Sequence, residues 1–212
     1  MHTDRARETL YEWVTTESLR KHCEAVAACM GHFAQRAGAD ADLWMAVGLL
    51  HDLDYERFPD MPGEGPEIVA VSHALIAGAP LSDPLPGHPF VGVAHLRAQG
   101  WSPEVLRAIL SHADYSGILP ESPMERTLYA VDELSGFVTA VALVRPDKSV
   151  HTVEVSSVRK KLKDKGFAAK VDRAGIAHGA EVIGMPMESL IAEVIAALRG
   201  SAERLGIAGA GA

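Results

Sequence analysis

The amino-acid sequence predicts an all-α protein, a bundle of amphipathic helices, on three observations. Apolar residues recur at intervals of three and four in several stretches, the period of a helix with one buried face. Aromatic residues make up only 6% of the chain while Ala, Leu and Glu are plentiful, which favours helix over strand. The pairs Ser102-Pro103 and Ser122-Pro123 repeat a cap-then-proline signature of helix starts.

Taken in order, Leu19, Cys23, Val26, Met30, Phe33 and Ala37 form an apolar stripe that ends near Gly38, and His22 lies beside Cys23 on it. Asp42 is a candidate N-cap for the next helix, which runs through Leu43, Trp44, Val47, Leu49 and Leu50 to His51 and stops before Pro59. Apolar nearly all round, it reads as a central buried helix. Residues 59–66 (PDMPGEGP) are a loop, a short helix follows over Pro66 to Ala79, and PLSDPLPG is a second loop. His88-Pro89 opens another helix, with Pro89 in its first turn. After Ser102, Val105, Ile109 and His112 share a face. After Ser122, which forms a capping box with Glu125, Leu128, Asp132, Ser135 and Val138 do. A short extended piece is expected at Val150 to Val155, then a basic helix from Ser157. A last amphipathic helix spans Met187 to Leu205. The expected division is 1–144 as a helical core, 145–205 as a basic segment and C-terminal helices packed on it, and 206–212 as a disordered tail.

A chain of 212 residues buries a substantial core. Cys23 and Cys29 lie on one helix, cannot bridge within it, and read as small buried residues of a reducing compartment. Met1 to Trp13 is charged and lacks the apolar stretch of a secretion signal, and no apolar run reaches membrane-spanning length. The expectation is a cytoplasmic protein with no membrane partner. The net charge of −8 is uneven, since nine Lys/Arg face four Asp/Glu between Arg145 and Arg173. An acidic body with one basic segment suggests a small anionic ligand and argues against a nucleic-acid track.

The segment Leu49-Leu50-His51-Asp52-Leu53-Asp54-Tyr55 carries the chemistry. Two adjacent ionisable side chains after a buried run cost several kcal/mol unless compensated. A divalent metal is the usual compensation, because neutral imidazole and carboxylate are its ordinary ligands. Adjacent helical residues project about 100° apart, so one ordinary core contact cannot satisfy both. Further ligand types on apolar faces are His22, His88, His112 and Asp132. Taken alone, His22 and His112 read equally as core histidines and His88 as a cap. Asp132, a carboxylate on the buried face in mid-helix, is the strongest single residue. Phosphate-binding glycine loops, dinucleotide fingerprints, nucleophile elbows and CxxC pairs are missing from the sequence.

The ordered set His22, His51-Asp52, His88, His112, Asp132 resembles the HD-domain superfamily of metal-dependent phosphohydrolases. The text ALVRPDKS followed by KKLKDKGFA also resembles a small bacterial HD-domain subgroup described only as hydrolases. The resemblance implies a helical bundle with a metal site between buried helices. It implies that the doublet, His22 and Asp132 hold one metal, and that His88 and His112 hold a second metal or the substrate phosphate. His88 is preferred as the third histidine because it opens a helix 24 positions before His112, with His73 and His95 as alternatives.

The implied activity is hydrolysis of a small phosphate ester, a nucleotide or related compound, by a metal-activated water. One or two divalent ions are expected, with Fe, Mn, Co, Ni and Zn all compatible with such ligands. Asp52 would be ligand and orienter, and Asp54 or Glu56 a proton acceptor or relay. Arg145, Lys148 and Lys163 are candidates to hold the phosphate at the mouth of the site. The alternatives are a di-iron oxygenase of the same superfamily and a non-catalytic metal-stabilised sensor domain.

Overall fold

The computed structural model describes residues 1–81 and 85–209. They form eleven α-helices: α1 (His2–Trp13), α2 (Glu17–Ala37), α3 (Ala41–Leu50), α4 (Pro66–Ala77), α5 (Phe90–Ala98), α6 (Pro103–Leu110), α7 (Pro123–Leu143), α8 (Val155–Lys163), α9 (Arg173–Ile183), α10 (Met187–Arg199) and α11 (Ala202–Leu205). The only β pairing among the described residues is an isolated bridge between Ser149 and Ala208. The protein is all-α. Residues 82–84 of the second proline-rich loop, and 210–212 of the tail, lie outside the described residues.

The long helices α2 and α7 pack against each other in the middle. On α2 lies α3, and α1 covers α3; α9 packs on α7, and α10 spans both α2 and α7. The closeness of α2 and α3 has a local cause in Gly48. A Cβ there would fall 2.7 Å from the Ala27 Cα and 2.8 Å from its nitrogen, so only a bare backbone allows the approach. The same holds for Gly179 of α9, where a Cβ would meet the Ala130 Cα of α7 at 2.9 Å. Leu49, Leu50 and Leu53, all buried, anchor the end of α3 in the core. Each such side chain stabilises the fold by about 1.5–3 kcal/mol.

Several sequence expectations need correction. The N-cap of α3 is Asp40, whose side chain accepts the Leu43 N–H at 3.1 Å. Asp42 accepts the His2 and Thr3 N–H groups instead, so it satisfies the free donors that begin α1. Helix α1 itself escapes the apolar periodicity, because its buried stripe is short (Ala6 and Leu10 among apolar residues) and set in a charged sequence. So does α9, whose buried face is Ile176, Gly179 and Ala180, small residues for the most part that give little hydrophobic signal. Pro89 is the N-cap of α5, one position before the helix.

Val150–Thr152 is a 3₁₀ turn, not an extended piece. The predicted last helix is broken at Gly200, which caps α10. Residues 206–209 are not a disordered tail. Ile207 is buried, and its carbonyl accepts the Val150 N–H at 2.8 Å. The apolar side chain has a core position to fill, and the 3₁₀ turn supplies the donor. The capping box of Ser122 and Glu125 forms as expected and starts α7. No helix among the described residues is long and apolar enough to cross a membrane.

Candidate metal centre

Four of the six candidate ligands lie at helix ends. His51 is the C-cap of α3, and Asp52 is in the turn that follows. His88 immediately precedes the N-cap of α5, and His112 follows the C-cap of α6. The last carbonyls of a helix have no partner within it. The His51 Nδ1–H donates to the Gly48 carbonyl at 2.8 Å, and the His112 Nδ1–H donates to the Ile109 carbonyl. Each bond places the proton on Nδ1 and turns the Nε2 lone pair inward. The remaining two residues project from mid-helix, His22 from α2 and Asp132 from α7.

These side chains converge as two triads. In the first, His22 Nε2 lies 3.2 Å from His51 Nε2 and 3.0 Å from Asp132 Oδ1, and His51 Nε2 lies 3.3 Å from that oxygen. In the second, His88 Nε2 is 3.3 Å from His112 Nε2, and Asp52 Oδ1 is 3.4 and 3.6 Å from the two. Asp52 joins them, for its other oxygen, Oδ2, lies 3.7 Å from His22 Nε2 and 3.6 Å from His51 Nε2. Each triad could hold a metal ion.

The donor chemistry fits a cation in each triad. Ligands bonded at about 2.0–2.2 Å in tetrahedral or octahedral geometry are separated by about 2.8–3.6 Å. The observed separations within the triads fall in nearly that range. With Nδ1 of His51 and His112 committed elsewhere, their Nε2 lone pairs would otherwise face acceptors with no proton between them. In the bare protein a proton on His51 takes that place in the first triad. Burial opposes charge on His51, but the carboxylates of Asp52 and Asp132 outweigh it and push the imidazole up to about 9. Burial likewise opposes charge on Asp52 and Asp132, yet the histidines hold both carboxyls below their usual range.

Behind the second triad stands Asp54, 1% exposed. Its Oδ1 faces His88 Nδ1 at 2.7 Å, and its Oδ2 accepts the Gly92 N–H at 2.6 Å. A Cβ at position 92 would lie 3.0 Å from the Asp54 Cγ, so glycine is what brings that N–H within reach. Asp54, an expected proton acceptor or relay, is bonded to His88 and Gly92 and does not line the open cleft. Glu56 reaches the cleft edge, but its oxygens accept the N–H groups of Thr15 and Thr16 before α2, and its bonds to these two threonines lower its pKa to about 2.

The triads open onto a cleft of about 820 Å³. Tyr55, Tyr115 and Tyr129 line it, as do Asp114, Glu133 and Asp172. Sequence reasoning missed all six. Tyr129 and Glu133 were within its reach, being a helical turn from and next to Asp132 on α7. Asp172 was not, because it precedes a helix that the pattern did not reveal. His73 is exposed on α4, and His95 packs against Trp13 with ring centroids 4.3 Å apart, so neither joins the triads.

The basic residues expected at the mouth are elsewhere. Arg145 lies 13 positions beyond Asp132, about 20 Å at the helical rise, and its Nε bonds Thr152 and Asp147. Lys148 is in the turn that follows, and Lys163 ends α8. Among the described residues, no lysine or arginine lines the cleft.

A family model described as HD domain matches residues 19–136. The chain belongs to the HD-domain family. That match runs from α2 to the middle of α7 and includes all six residues of the two triads, whereas α1 and α8 to α11 lie outside it. No curated protein and no solved structure matches the chain.

Proposed function

We propose that this HD-domain protein is a metal-dependent hydrolase of a small phosphate ester. The observation that carries the reading is the position of Asp52, one oxygen toward each histidine pair, beside an open cleft. His22, His51 and Asp132 are the proposed ligands of one ion, and His88 and His112 of a second, with Asp52 shared. Bound divalent ions would supply a water of lowered pKa and an electrophile for phosphoryl oxygens. The chain's own contribution is orientation. The carbonyls of Gly48 and Ile109 hold two imidazoles by their Nδ1–H groups, and Asp54 holds a third. Tyr115, whose hydroxyl donates to the His88 carbonyl at 3.1 Å, braces the same histidine from the cleft side.

The test is metal analysis of the purified protein, then phosphate release from a panel of phosphate esters with Mn, Co, Ni, Mg and Fe(II). Stoichiometric metal with release from at least one ester is expected. Protein that binds no metal, or metal-loaded protein that releases no phosphate from any ester, would overturn the reading. A second reading, a di-iron oxygenase, is favoured by one observation: the cleft offers no cationic side chain to a phosphate among the described residues. Two bound irons with an O2-dependent optical change, and no phosphate release, would establish it instead.

A further inference from the structure

The turn after the His51-Asp52 doublet carries Asp54, Tyr55, Glu56 and Arg57, and three of these side chains hold neighbouring segments. Asp54 bonds His88 and the Gly92 N–H. Glu56 accepts the N–H groups of Thr15 and Thr16. The Arg57 guanidinium donates to the carbonyls of Glu12 and Trp13 and lies over the Trp13 ring. With the Tyr55 N–H donating to the Asp52 carbonyl at 3.1 Å, the backbone of the turn is fixed from several sides. Tyr55 is the exception among the four. Its ring stands edge-on to His88, with centroids 5.2 Å and planes 87° apart, and it lines the cleft.

The other two phenols of the cleft are committed. The Tyr115 hydroxyl donates to the His88 carbonyl and the Tyr129 hydroxyl to Asp114 Oδ2, each at 3.1 Å. The hydroxyl of Tyr55 bonds no other group among the described residues, and no lysine or arginine among them lines the cleft. Thr16 and Ser18, which also bring hydroxyls to the cleft, stand at the start of α2, a turn or more before His22 of the first triad. Tyr55 therefore brings the cleft's uncommitted phenol against the second triad. That triad is the more open of the two. Counting Asp52 for each, four side chains face the first site and three the second. A site with fewer protein ligands leaves more room for a substrate oxygen. A donor on a turn already fixed loses little freedom when a ligand arrives.

We propose that the Tyr55 hydroxyl donates a hydrogen bond to a non-bridging phosphoryl oxygen of the substrate, the place that a cationic side chain would otherwise fill. A hydrogen bond to an ionised oxygen is roughly twice as strong as one between neutral groups. Aimed at an oxygen on which charge builds during the reaction, it also raises the rate. The proton stays on the phenol throughout, and no covalent bond forms to Tyr55. This inference rests on the proposed phosphate-ester chemistry and adds a substrate-contacting residue to it.

Tyr55→Phe keeps the ring against His88 and removes the hydroxyl alone. Metal titration, calorimetric binding of inorganic phosphate to the metal-loaded full chain, and phosphate release from esters are read for this variant and the parent. Both metal affinities of the variant should stay within about twofold of the parent. Inorganic phosphate should bind it about tenfold more weakly, and kcat/KM for any hydrolysed ester should fall about 10–100-fold. Phosphate affinity and kcat/KM both within twofold of the parent would overturn the inference, while release by the parent keeps the hydrolase reading. Loss of metal from the second triad together with phosphate would also overturn it, since the residue would then act only by supporting His88. Weaker phosphate binding with metal unchanged, in a protein whose parent hydrolyses no ester, would keep the contact and remove the hydrolase reading. A metal-loaded parent that neither binds phosphate nor releases it from any ester overturns both.

Discussion

Asp54 Oδ1 lies 2.7 Å from His88 Nδ1, and both residues are buried. A carboxylate in this position fixes the ring's orientation and tautomer for anything bound at Nε2. Asp54→Ala is therefore expected to weaken metal binding by the second triad by about 10–100-fold while the first triad is little affected. Metal titration with two resolved affinities checks this. Loss of both affinities together would mean that Asp54 supports the fold more than His88.

Asp52 should differ from its neighbours on replacement, because it alone faces both triads. Asp52→Ala should remove bound metal from both, whereas His112→Ala should roughly halve the metal content. Helix content by circular dichroism should stay close to that of the parent, since the core below the doublet is made by Leu49, Leu50 and Leu53. Stoichiometric metal in Asp52→Ala would contradict the shared-ligand assignment.

The pH dependence of the metal-free protein arises from opposite shifts. His51 is raised to about 9, so its ion pairs contribute stability that is complete below its unfolded value near 6.5 and is lost as the pH rises through about 9. Asp52 and Asp132 are lowered, so their contribution is complete above the ordinary carboxylate value near 4 and is lost in acid. Urea unfolding in chelator should thus show greatest stability from about pH 5 to 7. Added divalent metal competes with the His51 proton, so its apparent affinity should rise toward pH 9 and binding should release protons. A flat profile in chelator from pH 6 to 10 would contradict the shift at His51.

Gly48→Ala should destabilise the protein by about 1–3 kcal/mol, the usual range for forcing a methyl into a packed contact. Its Cβ would meet the Ala27 backbone, which cannot rotate aside as a side chain can. Because α2 carries His22 and α3 carries His51, widening that contact should also weaken metal binding by the first triad. Denaturant unfolding and metal titration of the one variant measure both. An unchanged unfolding midpoint would show that α2 and α3 separate at no cost.

Arg145→Ala should leave kcat/KM for any hydrolysed ester within about twofold of the parent, and cost no more than about 1 kcal/mol of stability. Its partners, Asp147 and Thr152, stabilise the turn after α7, far from the triads. A loss of activity of tenfold or more without unfolding would return Arg145 to the substrate.

The sequence by itself determined the features that depend on local patterns. The apolar period of α2, the capping box at Ser122 and the doublet placed directly after the apolar run of α3 each involve residues within a few turns of one another. They were enough to indicate an all-α fold, and the resemblance of His22, His51-Asp52, His88, His112 and Asp132 to the HD-domain pattern pointed to the six side chains that converge. Tertiary structure decided which ionisable groups share a space. Asp54, next but one to Asp52, points the other way, because a contact from α5, the Gly92 N–H, takes its second oxygen. Arg145 and Lys163 suit a phosphate by charge, but Arg145 lies past the end of α7, Lys163 ends α8, and neither lines the cleft. The edge of the cleft that carries Asp172 is set by α9, whose small buried face hides it from hydrophobic periodicity and lets it lie close against α7. Local chemistry is written in spacing, whereas the electrostatics of a cleft sum over segments that only packing brings together.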